Sequence, residues 1–344
     1  MAKKPVDAPL PRVDFDALRL PWHDAAWRLL SAQLDAGRMP HAVLVTGLTG
    51  LGKDLFAQRL VLRLLCESPR SGDACGNCRG CTQFLAGTHP DYHLLTMRED
   101  KSQIVIDQVR DELVGEMQLS SQYGAYKVAL ITPADRMNRN AFNALLKTLE
   151  EPSGRSVLVL VTARPARLSA TIRSRCQQVA IAPPAAEDGV AWLRARKVRD
   201  PVLLLALAGG APLAAAALAD SALLDARTAL LRTLLDLAAG QTDAPAAAQA
   251  WAALPFADAL DWLQTVVHDM IRLRQLGADA ALVNADLRRD LQSGAHRLDW
   301  LAMHRHLDEL VRLRALTETP VVAQLQWESV MTAWSSRLDT ALLA

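Results

Sequence analysis

Unbroken apolar runs alternate with stretches of helical spacing over the first half of the chain. Ala42–Thr46 (apolar through Val45), Val128–Ile131 and Val157–Val161 are short apolar runs, as expected of strands buried on both faces of a parallel sheet, and Tyr92–Leu95 is strand-like. Between two of these runs, the stretch from Asn138 to Glu151 sets Ala141, Leu145 and Leu149, with Phe142 and Leu146, on one helical face, and Pro152 forbids continuation. Strand, helix and strand inside about 35 residues make one parallel crossover unit. Helices are also predicted over residues 24–34, 55–65 and 106–116. The turn Thr132-Pro133-Ala134-Asp135 precedes the crossover helix, with Asp135 placed as a helix N-cap.

Beyond Pro183-Pro184 the pattern is helical throughout. Val202 to Ala219 carries no charge over roughly the length of a membrane span, but Gly209-Gly210-Ala211-Pro212 sits at its centre. Two buried helices broken by a turn are therefore expected. Residues 241–245 form a loop, 257–276 and 298–317 are amphipathic, and a last helix runs from Pro320 to about Leu343. Trp262, Trp300, Trp327 and Trp334 recur in these helices as core candidates. His296, His304 and His306 have no carboxylate spacing beside them and are assigned to surface or packing.

Composition narrows the function classes. The 344 residues are 51% hydrophobic, with 38 basic and 37 acidic side chains and a net charge of +1, so no global electrostatic footprint for nucleic acid exists. Any contact with DNA would be a local patch or be made through partners. Residues 1–19 contain Lys3-Lys4, then Pro5, Pro9 and Pro11, with no apolar core, which does not fit a signal peptide. A cytoplasmic protein is expected.

Two motifs carry chemistry. Gly47-Leu-Thr-Gly50-Leu-Gly52-Lys53-Asp54 follows a strand and opens a helix, the context in which backbone N–H groups and a helix N-terminus hold polyphosphate. Asp54 stands where the motif needs Ser or Thr for magnesium, and it puts negative charge where a triphosphate would lie. Next come Cys66, Cys75, Cys78 and Cys81, a spacing that can reach the tetrahedron zinc prefers. Free thiols or a redox pair are the alternatives. With all four positions filled by protein, a zinc ion there would be structural. Cys176 stands apart and is expected in the core.

The stretch Asn143-Ala-Leu-Leu-Lys-Thr-Leu-Glu-Glu-Pro152, followed by Ser174-Arg175-Cys176, resembles the clamp-loader branch of the AAA+ ATPases. That resemblance implies an α/β P-loop (RecA-like, AAA+) domain over residues 1–182 with a zinc module inserted at 66–81. A small helical lid at 183–222 and an all-α collar for oligomerisation at 223–344 would follow. It places Thr132 and Pro133 where the family's ATPases carry an Asp for magnesium and a Glu for water. It puts Leu213 where relatives carry a γ-phosphate-sensing arginine, and Thr162 at the polar sensor position. Arg175 would enter a neighbour's nucleotide site as an arginine finger, because a planar, permanently charged guanidinium matches phosphate oxygens. The implied role is a non-hydrolysing subunit in a hetero-oligomer with ATP-hydrolysing gamma or tau subunits and the delta subunit. That assembly loads the sliding clamp on primed DNA within the DNA polymerase III holoenzyme, a nucleotidyltransferase. ATP hydrolysis by this chain is not expected, and its nucleotide binding would be weak or absent. Two other readings stay open: an active clamp-loader ATPase that tolerates Asp54, and a zinc-module DNA-binding protein, although Arg79 is the sole basic residue between Cys75 and Cys81.

Overall fold

A computed structural model of the chain describes residues 14–98, 101–123, 126–219, 223–238, 240–297, 300–316 and 322–336. The Lys3-Lys4 segment, the expected lid–collar border, and Pro320 and Leu343 as ends of the last helix lie outside the described residues. The chain divides into two compact units, Met1–Pro184 and Ala185–Ala344.

The first unit is built on five parallel strands: β1 (Ala42–Thr46), β2 (Tyr92–Leu95), β3 (Lys127–Ile131), β4 (Ser156–Thr162) and β5 (Gln177–Ala180), in the order β2-β3-β4-β1-β5. The continuously apolar runs became β1, β3 and β4, the three inner strands, which are buried along their whole length. Pairing puts Thr46 beside Thr162 and Ile131 beside Leu160, so β1, β3 and β4 end on one edge of the sheet. The sequence pattern did not expose β5. It is an edge strand with mostly half-exposed or exposed residues, and Gln177-Gln178-Val179-Ala180 has no apolar run to signal it.

Among the described residues seven α-helices accompany the sheet: α1 (Asp24–Asp35), α2 (Lys53–Leu65), α3 (Arg79–Leu85), α4 (Ile106–Val109), α5 (Gly115–Gln118), α6 (Arg139–Glu150) and α7 (Ala170–Arg175). A π-helical turn, Arg110–Val114, joins α4 to α5. Val109, Leu113 and Met117 along this stretch are buried with Ala141, Leu145 and Leu149 of α6. Asn138, not Asp135, caps α6: its side chain accepts the Ala141 N–H at 2.8 Å. Asp135 lies instead in a short 3-10 turn, Ala134–Arg136, where its carboxylate accepts the Thr162 hydroxyl. Cys176 is in the core, as expected.

The second unit is helical throughout its described residues. Helices α8 (Ala186–Ala195), α9 (Pro201–Leu207) and α10 (Pro212–Ala219) close around Leu193, Leu204, Leu205 and Ala215. Gly189 touches Leu205 so closely that a Cβ would lie 2.7 Å from its Cδ2. Helices α11 (Leu223–Ala238), α12 (Ala244–Ala252), α13 (Phe256–Leu276), α14 (Arg288–Arg297), α15 (Trp300–Leu316) and α16 (Ala323–Ser336) share a separate core around Trp251, Leu263, Met270, Trp327 and Trp334. Trp262 is also buried there. His306 packs against the Trp334 ring with centroids 5.0 Å apart. The loop expected to reach Pro245 stops at Asp243, which caps α12; proline is tolerated in a first helical turn because its missing N–H has no partner there anyway. Among the described residues no single helix is long and apolar enough to cross a membrane. The uncharged run forms α9 and α10, bent by 114°.

Candidate functional site

Helix α2 carries a candidate site at each end. At its N-terminus, Gly47, Gly50 and Gly52 have φ of 149°, 82° and 74°, which only glycine adopts without strain. A Cβ on Gly47 would also sit 2.6 Å from the Ile181 carbonyl oxygen. The loop therefore has the glycine geometry of a phosphate cradle. Its polar side chains are turned on one another. Lys53 is buried, and its ammonium donates to the Leu48 carbonyl at 2.8 Å. Burial pushes the Lys53 pKa below its ordinary value, against the opposing pull of Asp54 and Asp135.

Asp54 accepts the Thr132 hydroxyl at 2.5 Å, across from the end of β3. Thr162, fully buried at the end of β4, donates to Asp135 at 2.5 Å and accepts the Arg164 N–H at 2.8 Å. The hydroxyls of Thr132 and Thr162 and both nearby carboxylates are thus paired within the protein. Trp22 and His23 hold the loop from behind: Trp22 Nε1 donates to the Leu51 carbonyl at 2.9 Å, and His23 Nε2 lies 2.8 Å from the same oxygen.

At the other end of α2, Cys66 is the residue that leaves the helix, with extended backbone. Cys75 follows a short excursion, and Cys78 caps α3, which carries Cys81. All four sulfurs lie within 4.8 Å of one another, so they could hold a metal ion. Sulfur–sulfur distances are 3.6 Å for Cys66–Cys75, 3.9 Å for Cys75–Cys81 and 3.9 Å for Cys66–Cys78. A tetrathiolate tetrahedron with metal–sulfur bonds of about 2.3 Å has edges of about 3.8 Å. Backbone amides aim at the sulfurs as well: Cys75 N to Cys66 at 3.3 Å, Glu67 N to Cys78 at 3.4 Å and Cys78 N to Cys75 at 3.3 Å. Such donors favour the thiolates that a metal needs.

Two features fasten this module to the rest of the unit. Gly80 runs so close to the end of α2 that a Cβ would lie 2.1 Å from the Leu65 carbonyl oxygen. Arg79 stacks on Tyr123 with its guanidinium 4.1 Å from the ring centre and donates to the phenol oxygen at 2.6 Å. Tyr123 and the neighbouring Gln122 are held in turn by the buried carboxylate of Asp91. The sequence pattern did not point to Tyr123: its partner lies 44 residues away, and nothing local marks the pair.

Arg175 closes α7, so it projects from a helix end and not from an open loop. Its Nη2 forms an ion pair with Glu150 at 2.7 Å and its Nη1 donates to the Thr171 carbonyl at 3.1 Å, while the side chain stays 36% exposed. Leu213 lies in α10 of the second unit and is half-buried.

A parallel α/β sheet, a glycine loop opening α2, an inserted cysteine module and a helical second unit together define a P-loop protein of the AAA+ clamp-loader type. Residues 22–185 match the family model described as DNA polymerase III, delta subunit, and residues 221–336 match that subunit's C-terminal model. The chain is 35% identical over 329 residues to the DNA polymerase III subunit delta' of Pseudomonas aeruginosa, spanning 92% of this chain and 97% of that protein. It is 37% identical over 271 residues to subunit delta' of Escherichia coli, spanning 78% and 80%. The chain belongs to the delta-prime family of DNA polymerase III subunits, components of the clamp loader. It is also 37% identical over 149 residues to the Escherichia coli subunit tau, covering 43% of this chain and 23% of that one. A solved gamma subunit-related protein from Thermotoga maritima is similar with a TM-score of 0.44 at 16% identity, covering 91% of this chain and 99% of that one.

Proposed function

We propose that the chain is a non-hydrolysing clamp-loader subunit that lends Arg175 to the ATP site of an adjacent subunit. In this reading it assembles in the cytoplasm with gamma or tau and delta subunits, and the assembly loads the sliding clamp on primed DNA. Residues 1–182 form the AAA+ domain, 183–222 the lid and 223–344 the collar that joins the ring.

The observation that carries this reading is the pairing of Asp54 with Thr132. Phosphoryl transfer needs a hydroxyl and a carboxylate on magnesium and a group that orients water. Here the hydroxyl position holds a carboxylate, the carboxylate position holds Thr132, and the two are spent on each other. The water-orienting position holds Pro133, which has no group to take a proton. Lys53, tied to Leu48, has its ammonium turned into the loop. Arg175 keeps the charge and the reach that a trans contact requires.

Cys66, Cys75, Cys78 and Cys81 would hold a zinc ion. Four thiolates leave no open position for water, so the ion would supply cross-linking of the module and no chemistry. The arrangement serves stability, and Arg79 and Tyr123 anchor it to the rest of the unit.

The test is ATP hydrolysis, stimulated by clamp and primed DNA, in the reconstituted loader with wild-type chain or Arg175→Ala. The variant is expected to cut the rate partially, because one site loses its finger, by roughly 10³-fold or more at that site, while others continue. The isolated chain is expected to show no hydrolysis above background. An unchanged rate with Arg175→Ala reduces the chain to a scaffold, and turnover by the isolated chain removes the non-hydrolysing reading.

A further inference from the structure

We propose that Glu150 is the positioning residue for Arg175: it fixes the guanidinium so that the unused N–H groups face a neighbouring subunit's phosphates. This inference rests on the finger role of Arg175 proposed above.

Glu150 is the last residue of α6, and Arg175 is the last residue of α7. Leu145 and Leu149 of α6 share one core with Leu168, Ile172 and Cys176, so packing brings the two helix ends side by side. Charge placement at these ends is unequal. A cation at a helix C-terminus is favoured by the helix dipole, and a carboxylate there is disfavoured. Arg175 therefore suits its place on α7, whereas Glu150 is unfavourable on α6 by itself. Its compensation is the 2.7 Å ion pair with Arg175. Glu151, the next residue, already leaves the helix with φ of −125° and ψ of 70°.

The geometry of the pair separates holding from hiding. A guanidinium has five N–H groups. One N–H on Nη1 goes to the Thr171 carbonyl, while Nη2 sits 2.7 Å from the Glu150 carboxylate as an ion pair. The other four make no hydrogen bond among the described residues. Each terminal nitrogen is thus anchored to a different helix, which defines the plane of the fork, and donors remain for phosphate oxygens. Both partners are substantially exposed, at 36% and 48% of the side chain, so the pair adds little to stability. Its effect is to restrict where an otherwise flexible side chain points, which is how a remote contact changes rate without touching substrate.

The experiment uses the full chain in the reconstituted loader and reads the component of stimulated ATP hydrolysis that Arg175→Ala removes. Glu150→Ala is expected to lower that component roughly three- to tenfold, between the small worth of an exposed pair and the roughly hundredfold loss from a misplaced group. Glu150→Asp, which keeps the carboxylate, should restore part of it, whereas the neutral Glu150→Gln should not. In the Arg175→Ala background, Glu150→Ala should cause no further loss. Assembly and melting temperature should stay at wild-type values. An equal or faster rate with Glu150→Ala overturns the proposal, since the carboxylate would then be neutral or would park the finger. A loss that persists undiminished in the Arg175→Ala background also overturns it, by showing a structural role. If Arg175→Ala alone changes nothing, the finger reading itself fails, and this positioning role falls with it.

Discussion

The two ends of α2 have the same kind of scaffold and opposite polar chemistry. At the N-terminal end the loop has the geometry to surround an anion, but its side chains satisfy one another: Lys53 with Leu48, Asp54 with Thr132, Thr162 with Asp135. At the C-terminal end four sulfurs lie within 4.8 Å of one another, three of the pairs at 3.6–3.9 Å, with backbone amides supporting them. A site whose polar groups are already paired gains little from a ligand, because each bond formed replaces one lost. A cluster of four thiols with no cross-link has the reverse character, since a metal supplies what the fold leaves open. Glycines alone therefore say little about whether a loop is used.

The sharpest way to break this contrast is to remove the metal end. Cys75→Ser, or a strong chelator, is expected to abolish metal content measured by mass spectrometry and to destabilise the chain. The effect should be about 3 kcal/mol, below the ~10–16 kcal/mol of isolated finger peptides because the rest of the unit has its own core. In a domain of this size that lowers the melting temperature by roughly 6–12 °C. A chain that melts unchanged without metal would make the cysteine module ornamental.

A smaller effect is expected from Gly80→Ala. The new methyl group would meet the Leu65 carbonyl at 2.1 Å and force α3 away from the end of α2. Overpacking of this kind costs about 1–3 kcal/mol. Metal content and melting temperature should fall together; if stability drops while metal content stays full, the close approach supports packing and not the thiol geometry.

The smallest effect is expected at the other end. Asp54→Thr restores the hydroxyl of the loop motif but leaves Thr132 and Pro133 in place. Titration with a fluorescent ATP analogue should detect no tight binding in either form. Micromolar binding by the variant would show that one carboxylate had been closing the site, and the contrast between the two ends would rest on a single residue.

Much of this was legible because burial leaves a strong trace. The inner strands read as unbroken apolar runs, α6 showed its period and its stop at Pro152, and the cysteines stood at ligand spacing. What escaped was set by contacts between distant parts. β5 is recruited to an edge by β1 and has no pattern of its own. Asp135 looks like a cap in the sequence because it precedes a helix. The 3-10 turn gives that duty to Asn138 and frees Asp135 for Thr162. Glu150 was visible in the Glu-Glu-Pro stretch, but its bond to Arg175 depends on how two helices share a core. The loop chemistry was half legible: the substitutions at 54, 132 and 133 were plain, whereas their mutual pairing was not.

The contact between Gly47 and Ile181 has a consequence for how such chains are classified. A side chain on Gly47 would strike the backbone that follows β5, whatever the loop holds. That glycine answers to the join between two strands, and the same letter is read as half of a nucleotide signature. Architecture alone can keep such a signature in place, whatever the loop binds. The letters then describe a shape, and only the partners of Lys53 and Asp54 tell whether the shape is vacant for business or sealed.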